Sequence, residues 1–263
     1  MSHPTKDPYA RKGTCRMKLG FWLCLLHVAT LSAGEAAAAG ANFAWSGCLA
    51  EGGSVNTTFA CNSNSGTRVA VGSFVVASDH AGVVGIEATV DIIAKSEALP
   101  NWWRAFGIGS CRSGLSANFS FGLDPASACT DPWSGQATGG IGALRTVWSS
   151  PQVDGHNPAT GQLLLVGALP SSSPTELLAN TEYYGFKLVL TLGKTVGSTA
   201  CDGCATPVCL ALSSTKLVMS DNSFELLSRA STSNVITWQG AESCPASIAA
   251  ANRRWGEIRA LYH

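Results

Sequence analysis

Cys48, Cys61, Cys111, Cys129, Cys201, Cys204, Cys209 and Cys244 all follow residue 40, and eight thiols in one stretch constrain the fold more than any other feature of the chain. Free cysteines in that number are uncommon in reducing compartments, so the pattern implies an oxidising environment and a framework of up to four disulfides. Closing a short loop costs the least chain entropy. That consideration predicts Cys48 with Cys61, Cys111 with Cys129, Cys201 with Cys204 and Cys209 with Cys244, with Cys204 to Cys209 as a rival pairing.

Two further cysteines, Cys15 and Cys24, sit upstream in a segment of different character. Lys6, Arg11, Lys12, Arg16 and Lys18 precede an apolar run from Leu19 to Ala33, and Glu35-Ala36-Ala37-Ala38-Ala39-Gly40 follows with small residues. A basic start, an apolar middle and a small-residue end make residues 1–40 a secretory signal peptide, with Met17 a possible true start and residues 1–16 then an N-terminal extension. The apolar run is shorter than the roughly 20 residues a membrane-spanning helix needs, so no span is expected after cleavage. Removing the leader takes five basic and two acidic residues and leaves 12 basic against 15 acidic. The expected location is secreted, periplasmic or at the cell surface.

Charge is scarce throughout, at 13% of 263 residues, about half the usual share. A nucleic-acid binder needs a basic excess, which this chain lacks. Scarce charge also leaves few groups for acid–base catalysis, so the chain leans away from an enzyme.

Residues 41–263 read as a single all-β domain. Short apolar or alternating runs are separated by Gly, Ser, Asn and Pro clusters, the signature of strands and turns. Strands are expected near Asn42–Leu49, Thr67–Ser78, Val83–Ala94, Ser116–Gly122, Ile141–Ser149, Gln162–Leu169, Thr181–Leu192, Pro207–Met219, Ser223–Leu227 and Asn234–Gln239. Within the third run, Ile86, Ala88, Val90 and Ile92 alternate with Glu87, Thr89 and Asp91. In the seventh, Tyr184, Phe186, Leu188, Leu190 and Leu192 alternate with Lys187 and Thr191. Strand side chains point to opposite faces in turn, so both are half-buried strands of an antiparallel sheet. The expected architecture is a jelly-roll-like antiparallel β-sandwich with disulfides. A short C-terminal helix is expected in Ile248–Tyr262, where Trp255, Ile258 and Leu261 fall at helical spacing.

Chemistry-bearing motifs are weak. Cys201-Asp202-Gly203-Cys204 is a CxxC, but a redox pair needs a following helix, and a strand follows here; a structural bridge is the better reading, with a thiol oxidoreductase and a zinc site as rivals. Glu87 and Asp91 share a strand face, yet four residues of strand separate them by roughly 13 Å, beyond glycosidase reach. A secreted, glycosidase-like hydrolase would need carboxylates assembled from separate strands. Asp79-His80 and Asp154-Gly155-His156 lie in loop-like stretches, and Asp221 and Asn222 offer oxygens compatible with structural calcium, which nothing selects. No cofactor is indicated.

Trp102, Trp103 and Trp133 are the candidate contact residues. The first two are adjacent and the third lies in the turn-like Asp131-Pro132-Trp133-Ser134-Gly135, settings that favour exposed platforms for a polysaccharide or a surface protein. The stronger expectation is that these indoles cap the open ends of the core.

Longer stretches carry a resemblance. Asn180-Thr181-Glu182-Tyr183-Tyr184-Gly185-Phe186-Lys187, the Cys201 to Cys209 segment, Val235-Ile236-Thr237-Trp238-Gln239-Gly240 and Asn252-Arg253-Arg254-Trp255-Gly256-Glu257-Ile258 resemble a group of exported bacterial proteins with no assigned function. The resemblance implies export and a shared cysteine framework. It supplies no catalytic or binding residue.

Overall fold

A computed structural model describes residues 38–94, 96–104, 111–112, 117–125, 127–145 and 160–240. Their strands are β1 (Gly40–Trp45), β2 (Asn56–Thr57), β3 (Thr67–Val75), β4 (His80–Ala94), β5 (Ala117–Ser120), β6 (Thr138–Arg145), β7 (Thr160–Ala168), β8 (Thr175–Leu177), β9 (Glu182–Thr191), β10 (Val208–Met219), β11 (Phe224–Leu227) and β12 (Val235–Trp238). Each of the ten expected runs holds one of them. The two short strands β2 and β8 escaped notice because two or three residues carry no periodicity.

The strands form two sheets, one ordered β1-β3-β9-β5 and the other β2-β12-β10-β4-β7-β6, with β11 paired to β10 and β8 to β4. All strand pairs are antiparallel except β2 on β12, which is parallel and makes the larger sheet mixed. Phe43, Phe74, Phe186 and Leu188 from the smaller sheet meet Ile86, Val90, Leu210 and Leu217 from the larger in one buried cluster. This is the expected β-sandwich. The alternation in β4 holds, with Ile86, Ala88, Val90 and Ile92 buried and Glu87, Thr89 and Asp91 half-buried on the other face. Each fully buried Leu, Ile, Val or Phe contributes about 1.5 to 3 kcal/mol, so this core supplies most of the driving force.

One carboxylate ties the smaller sheet together. Glu182, at the start of β9, accepts hydrogen bonds from Asn42 Nδ2 (2.9 Å), Ser73 Oγ (2.6 Å) and the Ala50 backbone N–H (2.8 Å). It thereby joins β1, β3 and β9 to the 3-10 turn Leu49–Glu51. The outer edge of β1 is also closed, because its backbone bonds to Arg229, Ser231 and Ser233.

Small residues on β6 and β7 are set by a neighbouring ring. A Cβ at Gly167 would lie 1.7 Å from Phe121, and one at Gly139 would lie 2.6 Å from the same ring. Phe121 therefore fills the inner face where two side chains would otherwise stand.

The disulfides join Cys48 to Cys129, Cys61 to Cys204 and Cys111 to Cys201. The expected local pairs Cys48–Cys61, Cys111–Cys129 and Cys201–Cys204 are therefore corrected, and the rival Cys204–Cys209 with them. The bridges span 81, 143 and 90 residues, because a sandwich whose chain passes between sheets brings distant segments side by side. Loop-closure entropy ranks pairings in an unfolded chain, whereas the folded geometry selects among them. Cys209 is disulfide-bonded as well, and its expected pairing with Cys244 lies outside the described residues. So do residues 1–37, most of the signal peptide expected over residues 1–40, and the expected C-terminal helix.

Candidate functional site

The expected aromatic platforms are core. Trp102 and Trp103 occupy a 3-10 turn (Asn101–Trp103) rather than a strand, and both are buried, as is Trp133. In the turn the two adjacent indoles lie edge to face, with centroids 5.0 Å apart, instead of pointing to opposite sides. They close on Trp238 at 5.1 and 5.3 Å, while Trp238 also meets Phe59 at 4.5 Å and Trp45 at 6.0 Å. Three of the four indole N–H groups find partners: Trp102 donates to Thr195 Oγ1 (3.0 Å), Trp45 to the Thr237 carbonyl (3.0 Å) and Trp238 to the Cys204 carbonyl (2.6 Å), while the buried Trp103 Nε1 has no hydrogen-bond partner among the described residues.

Arg112 completes this cluster. Its guanidinium carbon stands 3.7 Å from the centre of the Trp102 ring, and its Nη1 donates to the Trp102 carbonyl at 3.0 Å. Nη2 donates to the Thr191 carbonyl. Burial lowers the Arg112 pKa to about 10, so the group stays a cation at neutral pH, held by carbonyl oxygens and a ring face. The bridges Cys61–Cys204 and Cys111–Cys201 clamp the same region. Because Cys201 and Cys204 each bond to a remote partner, the CxxC is a double anchor for one loop and not a redox pair.

Trp133 belongs to a second group. Its indole donates to the Gly185 carbonyl at 2.8 Å, and its ring approaches Phe74 and Phe121 at 6.4 and 6.0 Å. Asp131 turns the chain inward by accepting the Trp133 backbone N–H at 2.9 Å. The turn-like sequence thus directs a large side chain into the core. An exposed role for Trp102, Trp103 and Trp133 is corrected to the stronger expectation, core packing.

The polar candidates are engaged locally. Glu87 pairs with Lys216 at 3.2 Å, and Asp91 accepts from Gln162 Nε2 at 2.6 Å, so these two carboxylates serve separate partners. His80 Nε2 lies 2.5 Å from Glu225 Oε2, and Asp79 caps the Ala179 backbone N–H at 2.7 Å. Asp221 accepts from the Ser223 backbone (2.9 Å) and hydroxyl (2.6 Å), bonds that hold its carboxyl below the usual range and shape the β10–β11 hairpin. Cys48, Glu51 and Cys129 place ligand atoms within 4.8 Å of one another, but both sulfurs are consumed by their mutual bridge. His156 lies outside the described residues.

What the sequence did not flag is the outer face of the larger sheet. The register lines up Gly140, Val166, Glu87, Lys216 and Leu226 across β6, β7, β4, β10 and β11. Val166 is 41% exposed and Leu226 52%, with the charged pair between them, and Phe224 on β11 is 49% exposed. Lys216 Nζ stands 5.2 Å from the Phe224 ring centre. Gly140 has no side chain to shield Val166, so the apolar row opens directly onto β6.

β6 is the last described strand on its side of the sheet. No described strand pairs with its outer side, and Thr138 to Leu144 contains neither a charge nor a proline. Its described protective features are a bulge between Ala143 and Arg145 and the charged Arg145 at its end. The row could have been found only by pairing strands, since each of its residues belongs to a different one.

No family model matches the chain, and no curated protein matches it. Among solved structures, it is similar to a cohesin module of a family 33 glycoside hydrolase from Clostridium perfringens ATCC13124, at 10% identity. The alignment covers 76% of this chain and 98% of that one, with a TM-score of 0.32.

Proposed function

We propose that the protein is an exported, non-catalytic binding or assembly module, which docks another polypeptide on the outer face of the larger sheet beside the β6 edge. The observation that carries this reading is the row Val166, Glu87, Lys216 and Leu226, two exposed apolar ends around a central ion pair, opening onto β6, whose outer side no described strand pairs with. Exposed apolar groups on either side of an ion pair make a mixed surface of the kind proteins recognise, and the outer side of β6, with which no described strand pairs, offers backbone N–H and C=O groups that another strand can meet. That edge favours a protein over a polysaccharide, because sugars have no matching ladder of amides. Among the described carboxylates, Glu87, Asp91, Asp79 and Asp221 are engaged in pairs and caps instead. Export is supported by the bridges, which need an oxidising compartment. No described helix is long and apolar enough to cross a membrane.

The test is affinity capture from the envelope and extracellular fractions of the natural host, comparing the wild-type chain with Val166→Lys/Leu226→Lys. A protein recovered by the wild type and at least tenfold depleted with the variant, at unchanged melting temperature, supports the reading. Equal recovery by both chains, or recovery of polysaccharide alone, overturns it.

A further inference from the structure

Two adjacent rows on the outer face of the larger sheet complement themselves when reversed. Across β7, β4, β10 and β11 the first runs Val166, Glu87, Lys216, Leu226, which is apolar, negative, positive, apolar. The second, two residues away on each strand, runs Ala168, Gly85, Val218, Phe224, from two small residues to two larger ones. Laid end for end on a second copy of itself, the first row sets Val166 against Leu226 and Glu87 against Lys216. The second sets Ala168 against Phe224 and Gly85 against Val218. Each charge then meets its opposite, and each larger side chain of the second row meets a small one.

We propose that a second copy of this chain packs on this face, about a two-fold axis that lies in the interface and runs along the strands between β4 and β10. The proposal rests on the docking reading for its choice of face and names the partner. A two-fold contact is self-complementary, residue i meeting j while j meets i, so two Glu87–Lys216 contacts form in each dimer. Charge also fixes the direction of the axis. A two-fold axis running across the strands would stack Glu87 on Glu87 and Lys216 on Lys216, and like charges pressed together oppose association.

Both charges are within reach of a second copy, because Glu87 keeps 41% of its side chain exposed and Lys216 19%. Next along the two central strands, Thr89 and Ser214 come opposite each other and can pair through their hydroxyls. Four strands by three outward residues give a footprint of about 19 by 20 Å. That size belongs to a weak, reversible association, and β6 of each copy flanks the contact.

Sedimentation equilibrium of the purified full chain should therefore show a reversible dimer at about 100 µM. Glu87→Lys and Lys216→Glu, each alone, should weaken it about tenfold or more, because each reversal sets like charges against one another across the axis. An equimolar mixture of the two variants should restore the dimer, since every reversed position again faces an opposite charge. Mixing cannot repair a role confined to the pair within one chain. A wild-type chain that stays monomeric, a dimer that neither reversal weakens, or variants that mixing does not rescue would each overturn the proposal. Should a reversal variant not fold, Phe224→Ser takes its place and must weaken the dimer about tenfold at unchanged melting temperature, and an unaffected dimer again overturns it. A monomeric chain that still captures a different host protein, lost with Val166→Lys/Leu226→Lys, removes the second copy and leaves the docking reading standing.

Discussion

The two ends of β10 treat their apolar side chains in opposite ways. Near Val208, the strand runs beside Trp238, Trp102 and the doubly bridged Cys201 to Cys204 loop, and the indoles there are buried. Near Val218, it runs beside Phe224 and Leu226, which are about half exposed. The ends stand roughly 30 Å apart along one strand. Stability is concentrated at the first and accessible surface at the second, so substitutions at the two ends should separate folding from binding.

Removing a long-range bridge at the sealed end should produce the largest effect. Cys61→Ala/Cys204→Ala opens a loop of 143 residues, and chain entropy alone predicts a loss of about 4 to 5 kcal/mol, read as a lower urea midpoint. Trp102→Ala comes next, at about 3 to 5 kcal/mol, because it leaves a cavity, strips Arg112 of its ring and leaves Thr195 Oγ1 without the indole donor. The same variant should lower partner capture only in proportion to the folded fraction. A folded Trp102→Ala protein with selectively lost binding would break the contrast between the ends.

A smaller effect is expected at Tyr184, which belongs to neither end. Its hydroxyl donates to the Ser120 carbonyl at 3.0 Å and also lies 3.3 Å from the Gly122 carbonyl, and burial, followed by the charge of Asp131, raises its pKa well above the ordinary 10.0. Tyr184→Phe should cost about 1 kcal/mol at pH 7. A raised folded pKa means that this contribution is complete below pH 10 and is lost as pH climbs above it, since the unfolded chain releases the proton first. The difference between wild type and variant should therefore shrink between urea midpoints taken at pH 7 and pH 11. An unchanged difference would remove Tyr184 from the alkaline response.

How much of this was legible in the sequence depends on whether the signal was local. The alternation of Ile86, Ala88, Val90 and Ile92 placed β4 and its buried face, because period two is written in one strand. Pairing of cysteines was not local, and reasoning from short loops joined Cys48 to Cys61 when the sheets carry Cys48 to Cys129 instead. The tryptophans were ambiguous for a related reason: turn-forming neighbours suggested exposure against the core-capping reading, while burial depended on acceptors such as Thr195 and the Gly185 carbonyl, which lie far along the chain. Val166, Lys216 and Leu226 look ordinary in their own segments and become a surface only once the strands are in register.

The smallest expected effect makes the sharpest test of that surface. Glu87 and Lys216 form a half-exposed cross-strand pair, a kind worth at most about 1 kcal/mol, and neither side chain supports the core. Glu87→Gln should therefore shift the urea midpoint by less than the equivalent of about 0.5 kcal/mol. Docking would remove the pair from water, so losing the carboxylate leaves Lys216 charged inside the interface without its cross-strand partner, which costs far more there than in the free protein. Capture of the partner should fall severalfold while stability holds, and the wild-type complex should lose little to added salt, because a buried pair is poorly screened. If Glu87→Gln binds as well as wild type, the pair stays solvated in the complex, and the contact must lie further toward the β6 edge.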